Sequence, residues 1–314
     1  MKKIVSAGPN PAWQKVLEFK EFHHGEVNRA SSLVEFASGK GINFARACRC
    51  WGAAEGTVIS FVGGDNGRRI AEYLRSERLP NIAVNIAAAS RCCTTCLDTA
   101  NRVTTELIEP AAAPSEEEAR EFVAAVNDAL PGAEALAIAG TLPGNMDTGF
   151  YSRLAECAAR LGKLLIADLW RDLDRVAASG ARFVLKINRQ ELAAASGETD
   201  LRAGVAALMK RFPNLAAAGI TDGSGRACWA DADGFYFMEL PPTVSPVVNP
   251  IGCGDTASAV LTSELVNGRD GCAAMAAALG AAMANTASVL CGEFDPAVAR
   301  EYTRRIKIER EVQK

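Results

Sequence analysis

Short apolar runs alternate with amphipathic stretches along most of the chain. Segments of strand length with few polar positions occur at 57–63, 81–87, 135–140, 163–169, 181–188 and 216–221. Amphipathic segments of helical length lie between them, as at 67–79 and near 148–162. Strands that are apolar on both faces are typical of a parallel sheet covered by helices on both sides. The pattern therefore predicts an α/β fold with a mainly parallel sheet.

Local signals mark where some of these elements begin. Ser115 and Glu118 have the spacing of a capping box, so a helix is expected from there to about residue 130. The first eight residues carry two lysines but lack the roughly 7–15 apolar residues of a signal peptide, so residue 1 should lead directly into a first strand. The pattern from 254 onward is helical, and the charged segment 304–314 is predicted to be a solvated final helix.

Two stretches depart from this alternation of strands and helices. Residues 10–36 and 84–108 carry alternating apolar and polar or β-branched residues, with no long helical segment inside either stretch. This alternation is typical of antiparallel strands that expose one face. We therefore expect a small antiparallel sheet beside the main domain.

Composition and charge narrow the class of protein. Of the 314 residues 49% are hydrophobic and 23% are charged, as in folded globular proteins, and no apolar run has the length of a membrane span. The net charge of −3 and the scattered basic residues argue against a nucleic-acid partner. Ten cysteines without a secretory signal indicate reduced thiols and a cytoplasmic protein. The group Cys92, Cys93 and Cys96 lacks a second pair at zinc-ribbon spacing, so no metal is expected there.

The turn at 252–255 is the first candidate for chemistry. A β-branched run precedes Gly252, Cys253, Gly254 and Asp255, and a helical pattern follows them. Glycines let the backbone approach a ligand closely, and the free N–H groups at a helix start bind anionic oxygens. A carboxylate beside such an anion site fits phosphoryl transfer, in which an aspartate accepts the proton of the acceptor hydroxyl.

Two other interpretations of this turn remain open on the residues alone. Gly252, Gly254 and Ala257 match the dinucleotide-binding fingerprint Gly-x-Gly-x-x-Ala. Against that match, Asp255 would repel a bound pyrophosphate, and no βαβ half follows the motif. The turn could also simply precede and cap a helix.

A second glycine segment contains Gly39, Lys40, Gly41 and Asn43. It is not a Walker A loop, because that motif requires serine or threonine directly after the lysine. The glycines permit close approach of the backbone, and Asn43 at a helix start can bind hydroxyls. The segment carries little information by itself, since Gly-Lys-Gly is a common turn.

Taken together, the two glycine segments resemble the two signatures of the PfkB (ribokinase-like) carbohydrate kinase family. Residues 38–45 match Gly-Gly-Lys-Gly-x-Asn-x-Ala with Ser38 for the first glycine, and 252–255 match Gly-Ala-Gly-Asp with Cys253 for alanine. Related blocks occur over most of the chain, which is most similar to the 1-phosphofructokinase and tagatose-6-phosphate kinase branch. The resemblance implies one ribokinase-like domain over 1–314, with a Rossmann-like three-layer α/β body and a β-sheet lid built from about 10–36 and 84–108.

The resemblance also implies the reactants and the catalytic residues. Mg-ATP is the expected donor, a sugar or sugar phosphate is the expected acceptor, and a homodimer joined through the lids is possible. Asp255 corresponds to the family's catalytic base, and the amides of Gly252, Cys253 and Gly254 correspond to its anion hole.

Further positions correspond to the family's ligand-binding residues. On the sugar side, Gly39, Lys40 and Asn43 match acceptor contacts, and Arg91 resembles the lid arginine that grips a substrate phosphate. Lys40 and Arg91 would then form a cationic clamp.

The nucleotide side has its own matches. Asn188 corresponds to a residue near the triphosphate, and Glu191 to one that places Mg²⁺ through water. Thr221 and Gly223 correspond to nucleotide-binding positions. From the residues alone, Asn188 and Glu191 equally suit a turn that caps a short helix.

The sequence departs from the family pattern in the acceptor pocket. Gln14 replaces an acidic residue that accepts hydrogen bonds from sugar hydroxyls, and an amide both donates and accepts. Cys92, Cys93 and Thr94 follow Arg91 where the branch has an apolar residue and asparagine. The leading hypothesis is thus a sugar-phosphate kinase. A kinase for an unphosphorylated sugar or a nucleoside, and a catalytically silent sugar or nucleotide sensor, remain as alternatives.

Overall fold

The computed structural model describes residues 1–147, 149–244 and 246–311. The strands are β1 (Lys2–Ala7), β2 (Ala12–Phe19), β3 (Ser32–Ser38), β4 (Ala54–Val62), β5 (Asn81–Asn85), β6 (Arg91–Asp98), β7 (Val103–Ile108), β8 (Ala135–Ala139), β9 (Leu164–Asp168), β10 (Phe183–Asn188), β11 (Leu215–Thr221), β12 (Ala227–Asp231), β13 (Gly234–Glu239) and β14 (Lys307–Arg310). The α-helices are α1 (Lys40–Trp51), α2 (Gly64–Ser76), α3 (Glu116–Ala129), α4 (Gly149–Arg160), α5 (Leu173–Ala178), α6 (Arg189–Ser196), α7 (Leu201–Arg211), α8 (Cys253–Val266), α9 (Gly271–Asn285) and α10 (Pro296–Arg305).

The larger sheet carries the main core. Its strand order is β14-β13-β12-β11-β10-β9-β8-β1-β4-β5. The strands from β11 to β5 are parallel to their neighbours, and β12, β13 and β14 are antiparallel. Helices α3 to α7 contribute to the core on one face, and α1, α8, α9 and α10 contribute to the core on the other. The predicted α/β architecture with a mainly parallel sheet is confirmed.

Two helices predicted from the sequence are present in the structure. Ser115 and Glu118 form the predicted capping box at the start of α3, with each side chain accepting a hydrogen bond from the other residue's amide. The helix predicted near 148–162 is α4, while residue 148 lies outside the described residues.

The prediction of a final helix over 304–314 is wrong. Helix α10 ends at Arg305, and β14 pairs antiparallel with β13. Without this partner β13 would leave a row of unpaired N–H and C=O groups, and the charged, exposed residues of β14 suit an edge strand. Residues 312–314 of the predicted helix lie outside the described residues.

The smaller sheet has the order β3-β2-β6-β7. Its outer pairs are antiparallel, but β2 and β6 are parallel, which is possible because the long connection between them includes β4 and β5 of the larger sheet. Residues 84 and 85, included in the predicted small sheet, belong to β5 and pair with β4. Val16, Phe36 and Leu97 of the small sheet pack against Cys291, beside the start of α8. Among the described helices, none has the length and apolar character needed to cross a membrane.

Candidate active site

A cavity of about 970 Å³ lies between the small sheet, the carboxyl ends of β9 to β11 and the start of α8. Ligand sites in open α/β sheets typically form at this end of the strands. Every site residue predicted from the sequence lines this cavity, namely Gln14, Gly39, Lys40, Asn43, Arg91, Asn188, Glu191, Thr221, Gly223, Gly252, Cys253, Gly254 and Asp255. Two segments far apart in the chain, 38–43 and 252–255, therefore contribute to one site.

The turn before α8 leaves its helix start open. Gly252 is the N-cap residue, with a φ of +85°, and no side chain caps the helix. A Cβ at this position would lie 2.7 Å from Cβ of Cys291, so the turn requires glycine both for its conformation and for space. The first N–H groups of a helix have no intrahelical acceptor and carry partial positive charge. The amides of Cys253 and Gly254 are therefore suited to anionic oxygens.

Asp255 lies in the first turn of α8, is only 7% exposed and lines the cavity. Nδ2 of Asn43 donates to its Oδ2 at 2.7 Å, and Oγ of Ser38 donates to Oδ1 of Asn43 at 3.0 Å. Burial raises the pKa of Asp255 to about 6, although the charge of Lys40 lowers it. A carboxyl group whose pKa lies this close to neutral pH is suited to act as a general base.

Asp168 links two lysines in the lining of the cavity. Nζ of Lys40 donates to its Oδ1 at 2.9 Å, and Nζ of Lys186 lies 3.7 Å from its Oδ2. Oγ of Ser258 also donates to Oδ2, at 2.7 Å. Burial raises the pKa of Asp168, but the two lysines and these hydrogen bonds outweigh it and hold the pKa at about 2. Asp168 therefore stays ionised between two cations, and it raises the pKa of Lys40.

Lys186 connects this cluster to the glycine turn, because its Nζ donates to the carbonyl oxygen of Gly254 at 3.1 Å. Neither Asp168 nor Lys186 was assigned a role from the sequence. Their positions at strand ends could have indicated a ligand site, since Asp168 ends β9 and Lys186 is a buried cation near the end of β10. Charged residues at the carboxyl ends of parallel strands point to the ligand site of such a sheet.

Asn188 and Glu191 form a capping box at the start of α6. Oδ1 of Asn188 accepts from the amide of Glu191, and Oε2 of Glu191 accepts from the amide of Asn188, both at 2.9 Å. The helix-capping interpretation thus describes their local contacts, while both residues also line the cavity. Capping of α6 and binding of a ligand in the cavity are therefore compatible roles for these two residues.

The wall beyond Gly223 is largely apolar and was not predicted. Its apolar side chains come from three separate segments, as Leu240, Pro241, Pro242, Val247, Pro250, Leu279, Ala282 and Met283. Apolar positions in a loop and in a buried helix resemble core residues in the sequence, so no pattern marked them.

The small sheet supplies the opposite wall. Arg91 donates from Nη2 to the carbonyl oxygen of Asn10 at 3.2 Å, and its buried Nε has no hydrogen-bond partner among the described residues. Cys93 and Glu106 line the same wall, and burial raises the pKa of both. Alternation along β6 turns Cys92 and Cys96 to the face opposite to Cys93. Across the described residues, no group of three His, Cys, Asp or Glu side chains could hold a metal ion.

Comparison with known proteins identifies the family. The model of the pfkB family of carbohydrate kinases matches residues 1–297. The chain belongs to this family. A tagatose-6-phosphate kinase from Staphylococcus epidermidis is 26% identical over 273 residues, covering 84% of this chain and 86% of the relative.

Solved structures agree with this pfkB fold. Phosphofructokinase-2 from Escherichia coli in complex with fructose-6-phosphate has a TM-score of 0.84 and 21% identity, over 97% of this chain and 99% of that chain. A possible 1-phosphofructokinase from Thermotoga maritima has a TM-score of 0.86 and 18% identity, over 99% and 100% of the two chains. As a member of this family, the chain is an ATP-dependent carbohydrate kinase.

The structure also weakens the dinucleotide interpretation of the 252–257 turn. The fingerprint requires a strand directly before the glycines and a helix directly after them. Here β13 ends at Glu239, well before Gly252, and the turn connects an irregular segment to α8. The glycines of this pfkB protein therefore lie outside a βαβ unit.

Proposed function

We propose that this pfkB kinase transfers the γ-phosphate of ATP to a hydroxyl of a sugar phosphate. The observation that carries the proposal is the position of Asp255, a buried carboxylate in the first turn of an uncapped helix that opens into the cavity. A base and an anion site in one turn suit phosphoryl transfer. The likeness to a tagatose-6-phosphate kinase supports a sugar phosphate as the acceptor.

Asp255 acts as the base in this proposal. It accepts the proton of the attacking hydroxyl, and the hydrogen bond from Asn43 orients its carboxylate. The amides of Gly252, Cys253 and Gly254 stabilise the negative charge on the phosphoryl oxygens during transfer. Lys186 holds the carbonyl of Gly254 and thereby helps to fix the turn.

Asn188, Thr221 and Gly223 are proposed to bind the nucleotide, with the apolar wall against its base. The donor set fits Mg²⁺ held chiefly by phosphates and water, because Mg²⁺ commonly takes one or two carboxylates rather than a full protein cage. Glu191 fits this role through water, since its Oε2 accepts from the amide of Asn188 and none of the described residues donates to its Oε1. Bound Mg²⁺ would neutralise charge on the phosphates.

The acceptor is proposed to bind to Gly39, Lys40, Asn43, Gln14 and Arg91. Arg91 is the stronger phosphate ligand of the cationic pair, because among the described residues its guanidinium makes one hydrogen bond, to a main-chain oxygen, whereas Lys40 already forms an ion pair with Asp168. Glu106 on the same wall favours the second candidate, a kinase for an unphosphorylated sugar or nucleoside, because a carboxylate repels a phosphate.

A coupled assay of ADP release over hexose phosphates, free hexoses and nucleosides tests the proposal. We expect turnover with a sugar phosphate, and an Asp255→Asn loss of about 10²- to 10⁴-fold in kcat. Turnover with free sugars or nucleosides alone would favour the second candidate. Binding without any turnover would identify a sensor, and undiminished turnover in Asp255→Asn would exclude Asp255 as the base.

We also propose that the enzyme works in the cytoplasm. ATP and sugar phosphates are intracellular reactants, and all ten cysteines are free thiols. Free thiols persist in reducing compartments.

A further inference from the structure

Arg46 on α1 is a completely buried cation. Its side chain has no exposed area, and arginine is rarely buried to this extent unless its charge is paired. Glu77, the C-cap residue of α2, supplies the opposite charge. It accepts from Nε of Arg46 at 3.0 Å and from Nη2 at 2.8 Å. This bidentate pair fixes the plane of the guanidinium group.

Two further hydrogen bonds of Arg46 hold main-chain segments that border the active site. Nη1 donates to the carbonyl oxygen of Cys291 at 2.7 Å, and Nη2 donates to that of Ala37 at 2.8 Å. Ala37 directly precedes Ser38, whose hydroxyl donates to Asn43. Hydrogen bonds from a charged donor are stronger than those between neutral groups. Arg46 therefore ties both segments firmly to α1.

The segment at Cys291 is wedged between the 252–255 turn and the start of α1. A Cβ on Gly252 would lie 2.7 Å from Cβ of Cys291. On the other side, a Cβ on Gly292 would lie 2.3 Å from the carbonyl oxygen of Asn43. Contacts this close leave no space for adjustment, and packed interiors transmit strain. A shift of Cys291 and Gly292 would therefore be passed to both the turn and Asn43.

The turn and Asn43 are the two supports of the Asp255 side chain. Gly252 is the N-cap of α8, in whose first turn Asp255 lies, and Nδ2 of Asn43 donates to Oδ2 of Asp255 at 2.7 Å. A movement of one support against the other would change the position of the carboxylate relative to the amides of the turn. Arg46 is fully buried, so it can act on this geometry through its neighbours but not on the substrate.

We infer that Arg46 is a positioning residue for phosphoryl transfer, which holds the main chain at Cys291 and Ala37 and thereby keeps Asp255 aligned with the 252–255 turn. The inference rests on the proposed function, because it concerns the same site. Lysine could not replace Arg46, since three separate nitrogens of the guanidinium group donate here and an ammonium group has one.

Arg46→Lys tests this role, because it keeps the charge beside Glu77 but cannot keep all the contacts with Ala37 and Cys291. We expect kcat to fall about tenfold or more, since small misplacements of reacting groups cost large factors in rate. Arg49→Lys is the matched control. Arg49 lies on the same helix and donates to the same Glu77, but it makes no bond to either segment in the described structure. This control should keep the wild-type kcat.

The pKa of Asp255, followed by carbon-13 NMR of its carboxyl group, separates positioning from a purely structural role. The hydrogen bond from Asn43 lowers this pKa, so a looser contact should raise it in Arg46→Lys. Partial unfolding would lower the measured kcat but leave the pKa of the remaining native molecules unchanged. An unchanged pKa in Arg46→Lys would therefore overturn the inference, whether or not kcat falls.

Gly292→Ala reaches the same segment without changing Arg46, so it provides the test if Arg46→Lys does not fold. The overlap with Asn43 should raise the pKa of Asp255 and lower kcat as in Arg46→Lys. Gly52→Ala is its control, because Gly52 has a similar φ of +77° but no atom of the described residues lies within 4 Å of its Cβ position. Equal kinetics and equal Asp255 pKa values for the two alanine variants would overturn the inference.

The NMR titration needs no turnover, so it distinguishes failure of this inference from failure of the proposed function. A raised pKa in Arg46→Lys supports the positioning role even if the wild type phosphorylates no sugar, a result that would reject the proposed function. Conversely, an active wild type with the same kcat and the same Asp255 pKa as Arg46→Lys would keep the proposed function and reject the role of Arg46.

Discussion

The Asp255 side chain is surrounded by charges of both signs. Burial and the charge of Asp168 raise its pKa, while Lys40, Lys186 and the hydrogen bond from Asn43 lower it, and together they bring the pKa to about 6. A general base must be deprotonated to act, so activity should rise as pH increases through about 6 and fall below it. Asp168, with its pKa near 2, stays ionised throughout and adds no second transition.

The measurement for this prediction is kcat/KM for the acceptor between about pH 5 and pH 8, which reports ionisations of the free enzyme. One acidic limb with a midpoint near 6 is the expected result. A profile that stays flat down to pH 5 would argue that Asp255 is not the titrating base.

Ser38 acts on the Asp255 carboxylate indirectly, through Asn43. Its hydroxyl donates to Oδ1 of Asn43, whose Nδ2 donates to Asp255. Ser38→Gly restores the residue typical of the family but removes this hydroxyl. The Asn43 side chain then loses one of the two hydrogen bonds that it makes with described residues. We expect kcat to fall about fivefold, with the KM for ATP unchanged. The acidic limb should also move to higher pH, because the bond from Asn43 lowers the pKa of Asp255.

Ser32→Gly is the matched control for this prediction. Ser32 lies at the other end of β3 and its hydroxyl contacts only the exposed Glu18 in the described structure. It should leave kcat and the pH profile as in the wild type. If Ser38→Gly behaves like this control, the contact with Asn43 does not orient the base.

At the scale of one element, helix α8 has a glycine in the left-handed region at each end. Gly252 has a φ of +85° and Gly268 a φ of +79°. Alanine costs about 1 kcal/mol at either site through its backbone conformation. Of the two, Gly252 adds a steric conflict, because its Cβ would meet Cys291, whereas no atom of the described residues lies within 4 Å of a Cβ at Gly268.

Gly252→Ala should therefore displace the anion-binding turn as well as destabilise the fold. We expect kcat to fall at least tenfold, since small misplacements of reacting groups cost large factors in rate. Gly268→Ala should lower the melting temperature to a smaller extent and keep the wild-type kcat. Equal kinetics for the two variants, measured at a temperature where both are folded, would contradict a geometric role for the turn.

The elements that the sequence predicted correctly depend on local signals. The capping box of Ser115 and Glu118 acts within one helical turn, so its residues alone determine it. Strand β14 depends instead on β13, some seventy residues earlier, and a charged segment does not reveal such a partner. The parallel pairing of β2 with β6 was missed for the same reason, because alternation describes a strand but not its neighbour.

At the scale of the whole molecule, the cavity results from long-range contacts of the fold. Helices α1 and α8 begin side by side, so Asn43 meets Asp255 across 212 positions of the chain. The family resemblance predicted that these segments share a site, whereas the pattern of residues alone did not. Asp168, Lys186 and the apolar wall required the structure, because their roles depend on which strand ends and helices converge.

The outward face of the small sheet is proposed to join two copies of the chain. Leu33 and Leu107 lie on this face by the register of β3, β2, β6 and β7, and they are 53% and 54% exposed. Exposed apolar groups on an open sheet favour association, since burying them on a partner removes apolar surface from water. We expect the wild type to be a dimer in light scattering at micromolar concentration.

Charge on this face should break the dimer. Leu33→Glu and Leu107→Glu together would place like charges at the contact, which costs more than the loss of apolar area alone. The variant should elute as a folded monomer with its ATP KM unchanged, because the residues proposed to bind the nucleotide lie outside the small sheet. Leu161→Glu, at an exposed leucine outside the small sheet, should remain dimeric. A monomeric wild type, or a double variant that stays dimeric, would show that this face is not the interface.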